Sequence, residues 1–250
     1  MLRSAFGQLR QWVNKVEHPF TWYSFLQSVL PYPLDHLPEA NFTTLGLIIL
    51  LVALALRFRR AIEVAADPVV PDQRLGVRNI LELLVDIVVG LSDSIIGKKG
   101  RKYVSLFGSL FILILSANLS GLVPGFTPPT SSWWANLGLA LVVFVAYHYF
   151  GIRENGAHYF KQFLGPTLLL APLFIVIELA SHGFRPMSLS IRLFGNMFGD
   201  HLVLEIFTDL TKLVIPVLFY MLGTLVSVIQ AAVFTILTII YVAMAISHEH

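Results

Sequence analysis

Long apolar runs alternate along the chain with short polar breaks, and the run lengths predict the elements. A bilayer core of about 30 Å takes about 20 helical residues. The first run, Asn41 to Leu56, is short and meets Arg57, Arg59 and Arg60. It predicts one span, followed by a loop at Pro68 and Pro71. Tyr103 to Val123 and Trp133 to Ile152 predict two more, joined by a charge-free turn containing Pro128 and Pro129. Trp133 and Trp134 stand where interfacial aromatics anchor a span. Pro166 to Ile246 stays apolar but carries many polar residues, and it divides near Asp209 to Lys212 into two long helices.

Leu75 to Ile96 has a different pattern. Arg78, Glu82, Asp86 and Asp93 interrupt it at spacings of four, four and seven, which puts them on one helical face. This predicts an amphipathic helix at the interface or against the bundle. The fold class is therefore all-α: a polytopic membrane protein of about five spans and an interfacial amphipathic helix, with two long tilted C-terminal helices. Without a repeat or a low-complexity linker, residues 1–250 read as a single membrane domain. It comprises an external or interfacial segment (1–40), N-terminal spans (41–164) and a helical hairpin (165–250).

Composition agrees with a lipid environment. Of 250 residues, 56% are hydrophobic and 13% charged, where soluble domains are nearer a quarter charged. Mean hydropathy is +0.75. The formal charge of +2 leaves no nucleic-acid footprint. There is no cysteine, hence no disulfide or thiolate metal site. Basic residues cluster at Arg57–Arg60, Lys98–Lys102 and Arg153–Lys161, and the positive-inside rule places these loops in the cytoplasm and the proline turn outside. Residues 1–20 lack an apolar signal region, and the compact chain without a clear presequence points to a bacterial inner membrane.

The candidate chemistry lies in one helix. With Arg192 at zero and about 100° per residue, Arg185 falls about 20° away, Glu178 and Asn196 about 40°, and His182 and Asp200 about 80°. His201 and Glu205 lie on the opposite side, at about 180° and 220°. One helix thus carries two polar tracks, offset along its length, with Arg192 between them. Glu178 to Glu205 would span about 40 Å, so the helix must tilt or break, and Pro186 could bend it.

An arginine in mid-membrane costs about 2.5–3.5 kcal/mol on insertion scales and marks an ion pathway by default. It cannot relay a proton, because its guanidinium does not give one up. As a fixed positive charge within about 4–6 Å of a carboxyl, it would lower that carboxyl's pKa by about 1–3 and strip its proton. It would also block direct leakage between the tracks. The alternative is a structural ion pair with Asp200 or Glu178. Asp200 either lines a channel or pairs with Arg192. His182 either joins the path or bonds within the bundle, and Arg185 joins it or snorkels toward phosphates. Gly195 and Gly199 form a GxxxG pattern, which predicts close helix contact, within the chain or against a partner helix. His148 and His158 read as interfacial.

The segment PMSLSIRLFGNMFGDHLVLEI closely resembles the signature of F-type ATP synthase subunit a, in which an arginine precedes Leu-Phe-Gly-Asn. The upstream IELASHGFRP, the downstream IQAAVFTILTIIYVAMAISHEH and NLSGLVPG after Ala117 are similar to that family as well. The resemblance is strongest from Gly165 to the C-terminus. It implies two aqueous half-channels that end mid-membrane at a rotating c-ring, with peripheral-stalk b subunits as further partners. It implies that a ring carboxyl releases its proton near Arg192. Asn196 and Gln230 match the family's asparagine and glutamine, Glu178 matches an acid of the cytoplasmic outlet, and His201 stands where the family carries Glu or His on the inlet. The sequence departs from the family at Gly223, where some members carry a His or Glu partner, and Glu205 could supply it.

No Walker motif, triad or nucleotide loop is present, so ATP chemistry and nucleotide binding are expected elsewhere in the complex. The tail His248-Glu249-His250 reads as a solvated terminus, and neither metal nor cofactor is expected. Two rival readings stand beside proton translocation. A secondary transporter would carry pseudo-symmetric repeats. A non-conducting scaffold would keep its ion flux when Arg192 is neutralised.

Overall fold

A computed structural model describes residues 22–23, 39–64, 76–156, 159, 171–211 and 214–247. The loop at Pro68 and Pro71, the residues His158, Lys161 and Lys212, the segment 160–170 and the tail His248–His250 lie outside the described residues, as does most of 1–38. Every described element is helical: α1 (Glu39–Val64), α2 (Val77–Ile95), α3 (Val104–Ser120), α4 (Trp133–Asn155), α5 (Ala171–Leu210) and α6 (Val214–Ile246), with short 3-10 turns at Lys98–Tyr103 and Pro129–Ser131. Among the described residues, four helical stretches are long and apolar enough to cross a membrane: Asn41–Arg60, Lys98–Ser120, Trp133–Asn155 and Pro216–Ile246. The 40-residue α5, about 60 Å long, is the polar member of the bundle.

The ends of the elements follow local chemistry. Arg57 was expected to close the first span, yet α1 runs on to Val64. Charge ends a span because it leaves hydrocarbon, but it does not end a helix. Arg59 bonds Glu63 at 2.8 Å one turn later, which supports the continuation. Helix α4 stops at Gly156, whose φ of +56° is left-handed backbone that favours glycine. Pro186 sits inside α5 without ending it.

Helix α2 is amphipathic, as expected. Arg78 bonds Glu82 at 2.7 Å on its polar side, while Ile80, Leu83 and Ile87 stay exposed. Its polar face continues through Asp93, which receives Arg101 at 2.6 Å from the adjoining 3-10 turn. Lys102 and Tyr103 both reach Glu154 at the end of α4. The basic loops before α3 and after α4 therefore sit together at one end of the bundle. At the other end Thr43 donates to the Thr127 carbonyl at 2.8 Å, and the Trp22 indole donates to Pro124 at 3.0 Å.

The helices α3, α4, α5 and α6 enclose a core of Phe107, Ile114, Val143, Tyr147, Leu193, Phe234, Ile239 and Val242. In lipid, apolar burial alone does not drive helix association, so close packing and interhelical polar contacts hold the bundle. Small residues at the contacts agree with this: Ala140, Ala231 and Ala245 are buried where the helices meet.

Candidate functional site

Helix α5 turns one face to the bundle through His182, Pro186, Leu189, Leu193 and Met197, spaced by four, three, four and four. Arg192 and Asn196 lie beside that face and are exposed in the isolated chain. Arg192 makes no ion pair with Asp200 or Glu178. The Glu178 carboxylate instead lies 3.3 Å from His182 Nδ1. Asn196 turns toward α6 and donates to Gln230 Oε1 at 2.7 Å. Gln230 is buried, and its Nε2 has no hydrogen-bond partner. An amide left so is costly, about 1–3 kcal/mol, which is a reason to regard it as part of a working site.

A cavity of about 300 Å³ opens beside the N-terminal half of α5, lined by Glu178, His182 and Arg185 together with Tyr147, Tyr159 and Ser247. Arg185 stacks over Tyr147 and Tyr241, at 5.9 and 5.2 Å from the ring centres. A second cavity, of about 270 Å³, is lined by Asp200, His201, Met197, Gly121, Gly223 and Ser227. The first lies at the end of the bundle where α4 and α6 finish, and the second where α3 finishes. Along α5 their linings are separated by the twelve helical steps from Arg185 to Met197, about 18 Å of helix. Arg192 falls in that interval, as do the buried apolar residues Leu189 and Leu193.

The cavity near His201 is shaped by two glycines. A Cβ on Gly121 would stand 2.7 Å from His201 Nε2, and one on Gly223 would stand 2.9 Å from Leu122 Cδ2. His201 Nε2 is buried without a partner. Glu205 lies one turn further along α5, and its side chain is outside the described residues. The structure thus gathers Glu178 and His182 in one cavity and Asp200 and His201 in the other, and it leaves Arg192, Asn196 and Gln230 between them.

The structure bears on two further readings of the sequence. Gly195 and Gly199 are not close contacts inside this chain, since a Cβ on either would meet nothing within 4 Å. Their strip is open, beside exposed Ile191 and Phe198. His148, expected at the interface, is half-buried, hydrogen-bonded through Nδ1 to the Tyr159 hydroxyl at 2.5 Å and stacked on His182 at 5.3 Å between ring centres. Tyr147 and Tyr159 were missed as well. No local pattern marks them, because Tyr147 meets His182 and Tyr241 on remote helices and Tyr159 folds back onto His148 from beyond the end of α4.

The ATP synthase A chain family matches residues 41–243, most of the chain. The chain belongs to that family. Family membership makes it a membrane subunit of the ATP synthase complex, with a role in the proton-translocating sector. It is similar to ATP synthase subunit a of Bdellovibrio bacteriovorus, with 41% identity over 213 residues, 84% of this chain and 93% of that one. The subunit a of Trichlorobacter lovleyi is 40% identical over 237 residues, covering 93% and 99%. That of Geobacter sulfurreducens is 36% identical over 233 residues, again covering 93% and 99%. These relatives are bacterial, and the apolar helices make this family member an integral membrane protein.

Proposed function

We propose that this chain carries protons through two offset half-channels at the face of a rotating c-ring and so couples the proton gradient to ATP synthesis. The observation that carries the reading is the pair of cavities at opposite ends of α5, with a charge between them that neither cavity contains. By the positive-inside rule the cavity with Glu178 and His182 opens toward the cytoplasm, and that with Asp200 and His201 toward the outside. Protons enter past His201, Asp200 and Glu205, load a ring carboxyl, and leave past Glu178 and His182 after nearly a full turn. Arg192 strips the proton from each returning carboxyl and keeps the two routes apart. The buried Leu189 and Leu193 support that separation, since apolar side chains fill that stretch on either side of Ser190.

Arg192 is suited to this role because it is exposed on an open face and has no carboxylate partner among the described residues. Gln230 and Asn196 hold each other beside it. The open strip at Gly195 and Gly199 supports close approach of a ring helix. Each proton that crosses delivers about 2.3 kcal/mol per 100 mV. Peripheral-stalk b subunits hold the chain against the torque.

The test is ATP-driven acidification of membrane vesicles that contain the whole complex, native against Arg192→Ala. Lost pumping in an assembled complex supports the reading. Pumping at the native rate makes Arg192 structural and favours a scaffold, and pumping of a solute coupled to ions would favour a secondary transporter.

A further inference from the structure

The cavity with Glu178 and His182 does not end at α5. His182 stacks on His148 of α4 with the ring planes 12° apart, and His148 Nδ1 meets the Tyr159 hydroxyl at 2.5 Å. Tyr159 also lines the cavity, so His148 bridges two of its walls from behind. We propose that His148 and Tyr159 extend the cytoplasm-side proton path beyond His182, with His148 holding the proton in transit. This rests on the two-channel reading above.

The geometry supports a relay rather than simple packing. His182 Nδ1 lies 2.9 Å from the Glu178 carbonyl, and Arg185 Nη1 points a donor at its Nε2 at 3.5 Å. Neutral His182 therefore donates from Nδ1 and keeps Nε2 as its accepting atom. The groups that face the imidazole pair are Glu178 and Arg185 from α5, Tyr147 from α4, Tyr159 from the following turn and, over Arg185, Tyr241 from α6. The guanidinium adds positive charge to the pair. Two stacked rings beside it cannot both be imidazolium, so the pair holds at most one extra proton. A proton that reaches His182 Nε2 passes to His148 through water, and the Tyr159 hydroxyl, which can donate or accept, stays bonded to His148 Nδ1 in either protonation state. Release to water returns both rings to neutral. No electron moves, and no reactant other than water is consumed. Histidine suits the position because an imidazole takes up and gives back a proton with no other bond changing, so flux should follow cytoplasmic pH.

The experiment uses inverted vesicles containing the whole complex, whose bath is the cytoplasmic side. Initial rates of ATP-driven pumping are read between about pH 6 and about pH 8, per assembled complex, for native, His148→Gln, His148→Phe and Tyr159→Phe. Native rates should change at least about threefold more across this range than those of His148→Gln, which keeps hydrogen bonding without titrating. Tyr159→Phe should shift the profile without abolishing it. A native pH profile in His148→Gln, alongside lost pumping in Arg192→Ala, overturns this proposal and leaves the two-channel reading standing. Native pumping in Arg192→Ala overturns both. If His148→Phe fails to assemble, His148→Gln and Tyr159→Phe still decide.

Discussion

Adding one methyl group at Gly121 should disable the cavity near His201 without touching a charged residue. Gly121 follows α3 with φ −70° and ψ −15°, backbone that alanine adopts freely. The whole effect is therefore contact. The new Cβ would lie 2.7 Å from His201 Nε2 and 2.9 Å from Pro128 Cγ, where ordinary contact begins at 3.4 Å. Pro128 is buried and its ring is rigid, so the imidazole must withdraw by 3.4 − 2.7 = 0.7 Å. Overpacking of this kind costs about 1–3 kcal/mol. Spent on the ring position, that lowers the native population by about 5- to 150-fold, since 1.4 kcal/mol is tenfold. We expect pumping per assembled complex to fall about tenfold in Gly121→Ala. Gly108→Ala is the control: it is buried in α3, and a Cβ there meets nothing within 4 Å. It should pump normally and gain up to about 1 kcal/mol of helix stability. Native pumping in Gly121→Ala would refute the claim that Gly121 sets the position of His201.

Other outcomes follow from single contacts. Asn196→Leu and Gln230→Leu should be non-additive in pumping rate by a factor equivalent to about 0.5–1.5 kcal/mol, read from a double-mutant cycle, because each removes the same 2.7 Å bond. Gly151→Ala puts a Cβ against the Tyr159 ring and 3.1 Å from the Ala245 carbonyl, so thermal aggregation of the detergent-solubilised complex should begin at lower temperature. Arg101, hydrogen-bonded to Asp93, holds that carboxyl below its ordinary range. With the folded value depressed, the contact is present above the ordinary Asp value and is lost as pH falls through the lowered one. Hydrogen exchange in the turn Lys98–Tyr103, corrected for intrinsic rate, should therefore stay flat from about pH 8 to about pH 5, and Asp93→Asn should raise it throughout.

Much of the fold was legible because a membrane makes length and charge decisive. Spans begin and end where side chains change from apolar to basic, and α3, α4, α5 and α6 fall within a few residues of the expected limits. Helix α1 outruns its apolar stretch, because the arginines after Leu56 end the stay in lipid and not the helix. The polar stripe of α5 was equally legible, because helical periodicity alone fixes which residues share a side.

Partners across helices were a different matter. Periodicity placed Glu178 and His182 near one another, but not His148 or Tyr159, which come from α4 and the turn after it. The departure at Gly223 acquired its physical sense only when Leu122 was found packed on it. The sequence by itself determined that the chain is helical, that it lives in a membrane, and that one long helix carries offset polar tracks about Arg192. Those are properties of single segments, governed by transfer energies and by 3.6 residues per turn. Only the tertiary structure decided that Asp200 leaves the track of Glu178 and His182 to share a cavity with His201, that Asn196 bonds Gln230, and that Arg192 pairs with neither Glu178 nor Asp200. Those facts depend on how helices far apart in the chain are rotated and stacked, and packing complementarity sets that rotation through contacts that no single segment encodes.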